Sequence, residues 1–246
     1  MSSVTLAIEQ GPRSYQEDYY LSMPIKGNGL NGRLLAIMDG HGGKAVAEIC
    51  AREIGNLFSP YKDTSPEESL RQLVSKLNSK TVSFRDVGAT LSIAFVLEDQ
   101  RKVSIAIVGD SPVVVLDGKK KLHLSPEHNV RSNAQERRAA ELRGGICEGG
   151  YLFAKNSDHG LQISRSLGDA HLGGILSREP DIYTIDDPQW ILVASDGLFD
   201  PGHRDTHKLL GDIQRYAILR STARDLMKWA EKRGLKDNAT ALVWCL

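Results

Sequence analysis

Short apolar runs rich in β-branched residues recur along most of the chain, separated by polar turns, and they predict a protein dominated by β-strands. The dipeptide Asp117-Gly118 stands between two such runs and is a hairpin signal. The predicted strands cover residues 4–9, 18–23, 33–38, 90–97, 103–108, 113–116, 182–185, 190–194 and 239–245.

Four other segments have the apolar spacing of amphipathic helices, at residues 44–58, 65–80, 132–145 and 222–234. The second carries the clearest start signal, since Ser65 can cap the helix and Pro66 suits its first position. Strands follow one another as hairpins and helices come in pairs, which favours antiparallel sheets with helices on their outer faces. Residues 144–160 are glycine-rich and predict a loop with one short strand, and residues 201–220 receive no assignment.

Length and charge narrow the classes of protein. The 246 residues contain no repeat, low-complexity tract or linker, so a single domain spanning 1–246 is predicted. Lys plus Arg and Asp plus Glu both number 31, and this zero formal net charge argues against a nucleic-acid or anionic-membrane partner.

Cysteine spacing and hydropathy predict the cellular compartment of the protein. Cys50, Cys147 and Cys245 are far apart and lack CxxC spacing, so they predict neither a disulfide framework nor a thiolate zinc site, and they suit a reducing environment. The N-terminal residues do not have the pattern of a signal peptide, and every apolar run is shorter than the roughly 18 residues of a membrane span. A soluble, cytoplasmic protein is therefore predicted.

Aspartates fall at the ends of predicted strands. The acids in question are Asp18, Asp39, Asp110, Asp196 and Asp237. A single aspartate at a strand end is an ordinary turn residue, but five such ends in an antiparallel fold are harder to explain as turns alone. If they converge, their carboxylates repel unless hard divalent cations neutralise them, and an all-oxygen set favours Mg²⁺ or Mn²⁺ over zinc.

Arg13, in "GPRSYQED", lies five residues before Asp18. A guanidinium beside a cluster of metal-binding carboxylates could hold a phosphoryl group in a bidentate clamp. A surface salt bridge is the simpler explanation when Arg13 is considered by itself.

Eight short motifs occur in order between Arg13 and Val243: "RSYQED", "DGHGG", "GATLSIAFV", "VGDS", "ISRSLGD", "EPDI", "ILVASDGLFD" and "DNATALV". Together they resemble the motif set of the metal-dependent protein phosphatases, the type 2C Ser/Thr phosphatase family. The resemblance covers almost the whole chain. It implies an α+β fold, a four-layer αββα sandwich of two antiparallel sheets flanked by helices, with a metal centre at one end.

The resemblance also implies a ligand set for two Mn²⁺ or Mg²⁺ ions per chain. Asp39 would bridge the two metals, and Gly40 would offer its carbonyl oxygen. Asp196 and Asp237 would complete the metal shell, and Asp18 would hold metal-bound water.

Three further roles follow from the same resemblance. Asp110 would take part in a weaker third metal site, helped by Asp200 or Asp169. Arg13 would bind the phosphoryl group, and His41 would give a proton to the leaving oxygen.

The implied reaction is hydrolysis of phosphoserine and phosphothreonine in phosphorylated proteins or peptides, by attack of a metal-bridging hydroxide on phosphorus. Two alternatives remain, a phosphatase of small phosphate esters and an inactive relative that binds a phosphoprotein. A monomer without nucleic-acid or membrane partners is expected. Two departures bear on substrate choice and on the third metal: Pro112 stands where many relatives have arginine, and the flap segment 144–160 is short.

Overall fold

A computed structural model describes residues 2–27, 29–60, 63–199 and 206–246. The strands are β1 Ser3–Glu9, β2 Tyr19–Gly27, β3 Leu30–Met38, β4 Gly40–His41, β5 Gly88–Ala89, β6 Leu91–Leu97, β7 Lys102–Val108, β8 Val113–Asp117, β9 Leu122–Leu124, β10 Ile146–Glu148, β11 Tyr151–Phe153, β12 Gly160–Leu161, β13 Leu167–Gly168, β14 Asp181–Asp186, β15 Pro188–Ala194 and β16 Ala239–Cys245. The α-helices are α1 Ala45–Leu57, α2 Pro66–Thr81, α3 Ala134–Leu142, α4 Thr206–Ile218 and α5 Ala223–Arg233.

Two five-stranded antiparallel sheets form the centre of the molecule. Sheet 1 has the strand order β1-β16-β15-β8-β9, and sheet 2 has the order β14-β7-β6-β3-β2. In sheet 1, Ser3 is paired with Cys245, so the first and last strands lie side by side. Two three-stranded sheets, β13-β5-β4 and β10-β11-β12, lie outside this pair.

Three buried clusters establish the layer order. One contains Leu35 and Ile37 of β3 with Val193 of β15, and it lies between the two sheets. A second packs the outer face of sheet 2 against α1 and α2, and a third packs the outer face of sheet 1 against α4 and α5. The predicted αββα sandwich is therefore confirmed.

The buried position of the sheets explains the sequence pattern of β3. Leu34 and Met38 face the helix layer, whereas Leu35 and Ile37 face the other sheet. Because both faces of the strand are covered, its sequence is continuously apolar instead of alternating.

The local predictions agree with the observed elements. Each predicted strand overlaps an observed one, and the Asp117-Gly118 turn joins the antiparallel pair β8 and β9. Ser65 caps α2 by accepting a hydrogen bond from the backbone N–H of Glu68 at 3.1 Å, with Pro66 at the first helical position. These signals are local, so the sequence is sufficient to show them.

Two segments differ from expectation. Residues 144–160 were predicted to be a loop with one strand, but they contain β10, β11 and the start of β12, and Leu152 anchors a separate buried cluster. Strands of two or three residues are too short to display an alternating pattern, which is why the prediction was wrong. The unassigned stretch 201–220 contains α4, Thr206–Ile218. Within the described parts of the chain, no helix is both long and apolar enough to cross a bilayer.

Candidate metal centre

Strand direction brings the predicted acids to one end of the sandwich. Asp18 precedes β2 and Asp39 follows β3, and the antiparallel pairing of Tyr19 with Met38 places them together. Asp196 follows β15 and Asp237 precedes β16, which are paired in the same way in sheet 1. A cavity of about 490 Å³ opens at this end. Its lining includes Arg13, Asp39, Gly40, His41, Asp110, Asp196 and Asp237.

Asp18 is buried beneath this cavity, with 6% of its surface exposed. Its Oδ2 accepts a hydrogen bond from Ser195 Oγ at 2.7 Å, whereas its Oδ1 has no partner among the described residues. Burial raises the pKa of Asp18 to about 7, and the charges of Asp196 and Asp237 add to the effect. A buried carboxylate oxygen without a donor is suited to a cation or its bound water.

Asp39 carries the strongest sign of crowded negative charge. Burial raises its pKa well above the usual value, and the charges of Asp18, Asp196, Asp110 and Asp237 raise it further. The donor set is oxygen-rich and suits Mg²⁺ or Mn²⁺. No three described His, Cys, Asp or Glu side chains stand at ligand spacing, so the individual ligand assignments stay predictions.

Arg13 lies at the mouth of the cavity. Its Nη2 donates to Asp237 Oδ2 at 2.5 Å, and its side chain is 54% exposed. Burial raises the pKa of Asp237, as does the charge of Asp196, while Arg13 opposes the shift. The arginine is thus beside the carboxylates and also open to a ligand.

Asn238 connects the segment that carries Arg13 to the start of β16. Its Oδ1 accepts from the backbone N–H of Glu17 at 2.8 Å. Its Nδ2 donates to the carbonyl oxygens of Gln10 at 2.8 Å and Tyr15 at 3.2 Å. The asparagine of "DNATALV" therefore positions the loop that precedes Asp18, a role that the sequence does not reveal.

The motif "DGHGG" forms a sharp turn between β3 and α1. Gly40 and His41 make the short strand β4, with Gly40 paired to Ala89. Gly42 has φ 68°, and a Cβ there would overlap the carbonyl oxygen of Asp86. A glycine is required at this point, and it lets the chain enter α1 just after the cavity.

His41 is held by a residue distant in sequence. Its Nε2 lies 2.8 Å from Asp169 Oδ2. Burial lowers the pKa of His41, but the hydrogen bond and charge of Asp169 outweigh this, and the pKa is raised above the usual value. Asp169 was predicted to help at the third metal; its Oδ2 contacts His41 Nε2 and Ser166 Oγ, its Oδ1 is buried without a partner among the described residues, and the role stays a prediction. Asp200, the other candidate for that site, lies outside the described residues.

Asp110 borders the same cavity from the loop between β7 and β8. Asn129 Nδ2 donates to its Oδ2 at 2.8 Å, and His128 Nδ1 accepts from the N–H of the neighbouring Gly109 at 3.1 Å. Pro112 lies just before β8, where its carbonyl accepts from the N–H of Ala194 at 3.0 Å. Sequence reasoning missed the contribution of Asn129, since "EHNV" has no pattern that points to a site.

Thr90 is a second residue that sequence reasoning missed. Its Oγ1 accepts from the backbone N–H of Asp39 at 3.2 Å and lies 2.7 Å from Ser111 Oγ. The motifs "GATLSIAFV" and "VGDS" thereby support the backbone of the central acid.

Tyr151 of the flap segment lines the cavity together with residues 160–163. Gln162 Nε2 donates to the Tyr151 hydroxyl at 3.3 Å, and the Arg131 guanidinium lies 5.5 Å from the centre of the Tyr151 ring. An aromatic side chain therefore lines the same cavity as the acids.

The protein has an αββα sandwich fold with a carboxylate-lined cavity at one end of its two antiparallel sheets. The family model described as protein phosphatase 2C matches residues 12–239. The chain belongs to the protein phosphatase 2C family.

Known relatives resemble almost the full length of the chain. An Arabidopsis thaliana protein named protein kinase and PP2C-like domain-containing protein is 31% identical over 257 residues, covering 95% of this chain and 37% of that protein. Another Arabidopsis thaliana protein, named probable protein phosphatase 2C 69, is 30% identical over 255 residues, covering 96% and 68% respectively. A solved structure described as a C. elegans sex determining protein has a TM-score of 0.79 and 25% identity, covering 99% of this chain and 64% of that chain. The chain thus spans only part of the length of these proteins.

Proposed function

We propose that this chain is a metal-dependent phosphoprotein phosphatase that hydrolyses phosphoserine and phosphothreonine. The observation that carries the proposal is the convergence of carboxylates on one cavity, where burial and then mutual repulsion raise the pKa of Asp39. Such crowding is costly unless cations offset it. Membership of the protein phosphatase 2C family supports the same conclusion.

The proposed ligands for two Mn²⁺ or Mg²⁺ ions are Asp39, the carbonyl of Gly40, Asp196 and Asp237. Asp18 would act through bound water. When bound, the cations would polarise the phosphoryl group and activate a water for in-line attack. Asp110 is the proposed residue of a weaker third site, and Asn129 restrains its carboxylate.

Two residues would contact the phosphate ester itself. Arg13 would bind and orient the phosphoryl oxygens, and its position beside Asp237 at the cavity mouth supports this role. His41 would give a proton to the departing serine or threonine oxygen. The contact of its Nε2 with Asp169 Oδ2 at 2.8 Å supports this role, because a carboxylate partner stabilises the imidazolium form.

The rim of the cavity supports a protein substrate over the alternative of a small phosphate ester. Tyr151 and Lys236 both line the cavity, so chain next to a phosphorylated residue would meet an aromatic ring and a cation. The other alternative, an inactive binder, gains no support from a cavity that keeps Arg13, His41 and the acids together. A single domain, a monomeric state and a cytoplasmic location stay predictions from the sequence.

The test is release of phosphate from a phosphothreonine peptide by purified protein with Mn²⁺, with Mg²⁺ and with a chelator. We expect turnover with either cation and none in chelator-treated protein, restored when Mn²⁺ is added back. Asp39→Asn should be inactive under all three conditions. Full activity without divalent cation would contradict the proposal, and peptide binding without turnover would favour the inactive relative.

A further inference from the structure

The side chains of His41 and Asp169 meet because three short strands place them together. His41 in β4 is paired with Gly88 in β5, and Gly88 is paired in turn with Gly168 in β13. Asp169 follows directly, and its Oδ2 lies 2.8 Å from His41 Nε2. The contact joins residues 128 positions apart, so it is a product of the fold.

Asp169 is held firmly in this position. It is 1% exposed, and Ser166 Oγ donates to the same Oδ2 at 2.6 Å. Its backbone N–H donates to the carbonyl of Val87 at 3.1 Å, and its φ of 50° lies in the left-handed region. A non-glycine residue in that region is sparsely populated and persists where surrounding contacts hold it.

The glycine at position 88 independently supports a specific contact between His41 and Asp169. A Cβ at this position would overlap Asp169 Oδ2 and would lie 2.5 Å from His41 Nε2. The bare backbone of Gly88 thus provides the space in which the two side chains meet. Asp169 itself lies behind the His41 ring, outside the set of described residues that line the cavity.

We propose that Asp169 is a positioning residue that fixes the ring orientation and tautomer of His41 during phosphate-ester hydrolysis. With Nε2 engaged by Asp169, the ring presents Nδ1 to the leaving group. The Nδ1 proton passes to the departing serine or threonine oxygen, the Nε2 proton stays on the ring facing Asp169, and Asp169 remains a carboxylate throughout. This inference rests on the proposed function, since it assigns His41 an orienting partner for its role as an acid.

A carboxylate behind an imidazole selects the tautomer that carries its proton on the nitrogen facing the carboxylate. An asparagine at position 169 fills the same space as the aspartate. Its N–H₂ group, however, would face His41 Nε2 and Ser166 Oγ and would favour a His41 ring flip or tautomer that does not direct a proton to the leaving group. Asp169→Asn therefore tests orientation with little change in volume.

The experiment compares kcat for a phosphothreonine peptide and for 4-nitrophenyl phosphate, whose leaving group departs without a proton. We expect Asp169→Asn to lower the peptide kcat about 10- to 100-fold and the nitrophenyl kcat less than about threefold. The double variant with His41→Ala should lose no more peptide activity than His41→Ala alone, because both act through one group. Folded Gly88→Ala protein should likewise lose more kcat on the phosphothreonine peptide than on 4-nitrophenyl phosphate.

A matched control is Asp181→Asn, which breaks another His–Asp contact, 3.1 Å from His128 Nε2. It should leave the ratio of the two kcat values unchanged. Mn²⁺ binding to Asp169→Asn, measured by calorimetry, should match the wild-type stoichiometry and affinity.

Three results would overturn the inference. An equal loss on both substrates would make Asp169 a purely structural residue, and loss of a Mn²⁺ site would make it a ligand. If the losses of peptide kcat from Asp169→Asn and His41→Ala added up in the double variant, Asp169 would act independently of His41. Failure of the proposed acid role is distinguishable, since His41→Ala would then itself lower both kcat values equally.

Discussion

Ser195 Oγ donates a hydrogen bond to Asp18 Oδ2 at 2.7 Å, joining the two sheets at the rim of the acidic centre. Ser195 follows β15 in sheet 1, and Asp18 precedes β2 in sheet 2. The same hydroxyl accepts from the backbone N–H of Thr240 at 2.9 Å, so its lone hydrogen is directed to the carboxylate. One oxygen of Asp18 is thereby anchored, and the other has no hydrogen-bond partner among the described residues.

Asp39→Asn should nearly abolish turnover and should stabilise the metal-free protein. A neutral amide cannot offset two cations, but it removes repulsion with Asp18, Asp196, Asp110 and Asp237. We expect turnover below about 1% of wild type, and unfolding free energy in chelator higher by about 1 kcal/mol or more. Phosphate release and urea denaturation measure the two effects, and near-wild-type turnover at saturating Mn²⁺ would refute the role of Asp39.

Arg13→Ala should act mainly on substrate binding. The guanidinium lines the cavity, is largely exposed and is proposed to bind the phosphoryl oxygens, so we expect KM to rise about tenfold or more while kcat falls less. Arg224→Ala is the matched control, because that arginine is similarly exposed and pairs with Glu9 at 2.9 Å away from the cavity. An unchanged KM in Arg13→Ala would leave Arg13 as a structural partner of Asp237.

His41→Ala should damage phosphopeptide hydrolysis far more than nitrophenyl phosphate hydrolysis. A serine or threonine alkoxide leaves poorly without a proton, and general acid catalysis is worth about 10²- to 10⁴-fold where it is needed. The Mn²⁺ midpoint should change little, because His41 is proposed as an acid and not as a ligand. A weakened midpoint would make His41 part of the metal site, contrary to this expectation.

The ion-pair network of Arg165, Glu136 and Asp181 should contribute stability that is lost in acid. Arg165 donates to Glu136 at 2.5 Å and to Asp181 at 2.9 Å. Burial raises the pKa of Glu136, but Arg165 and Ser164 more than reverse this, and its pKa lies below the usual 4.5. Burial lowers the pKa of His128 below 6.5.

Both shifts destabilise the folded state on acidification. As pH falls below 6.5, the unfolded chain takes up a proton on His128 that the folded protein resists. The contribution of Glu136 is present above 4.5 and is lost as pH falls through its lower folded value. These two groups should therefore contribute a loss of stability from pH 6.5 downward that steepens below pH 4.5, whereas the raised pKa values of Asp18 and Asp39 oppose this loss in the metal-free protein.

Glu136→Gln should lower the unfolding free energy at pH 7 by about 2–4 kcal/mol, because it leaves Arg165 without one charge partner. The gap from wild type should narrow as pH falls through the folded pKa of Glu136, below which the residue is protonated in both states. Glu179→Gln is the control, since that carboxylate is exposed and its 3.9 Å pair with Arg71 should contribute less than about 1 kcal/mol. A constant gap at all pH values would count against the charge of Glu136 as the cause.

Much of the fold was predictable because its signals are local. The apolar runs of β3 and β15, the Ser65 cap of α2 and the hairpin at Asp117-Gly118 each depend on a few neighbouring residues. The placement of aspartates at strand ends was also visible, and antiparallel pairing then implied that some of them would meet.

The precise partnerships within the site were not predictable. His41 and Asp169, or Asp110 and Asn129, are joined by strand pairing and loop packing across many residues, and no periodic pattern marks such contacts. The flap strands are too short to alternate, and their burial depends on a separate cluster around Leu152.

Sequence alone therefore predicted the secondary-structure elements, the aspartates at the strand ends and the family resemblance. These features depend on side-chain type and on the order of neighbouring residues. The three-dimensional arrangement decided which acids lie near Asp39, left one oxygen of Asp18 without a hydrogen-bond partner among the described residues and placed Asp169 against His41. Those outcomes follow from strand register and from the space left by Gly88, which exist only once distant segments pack together.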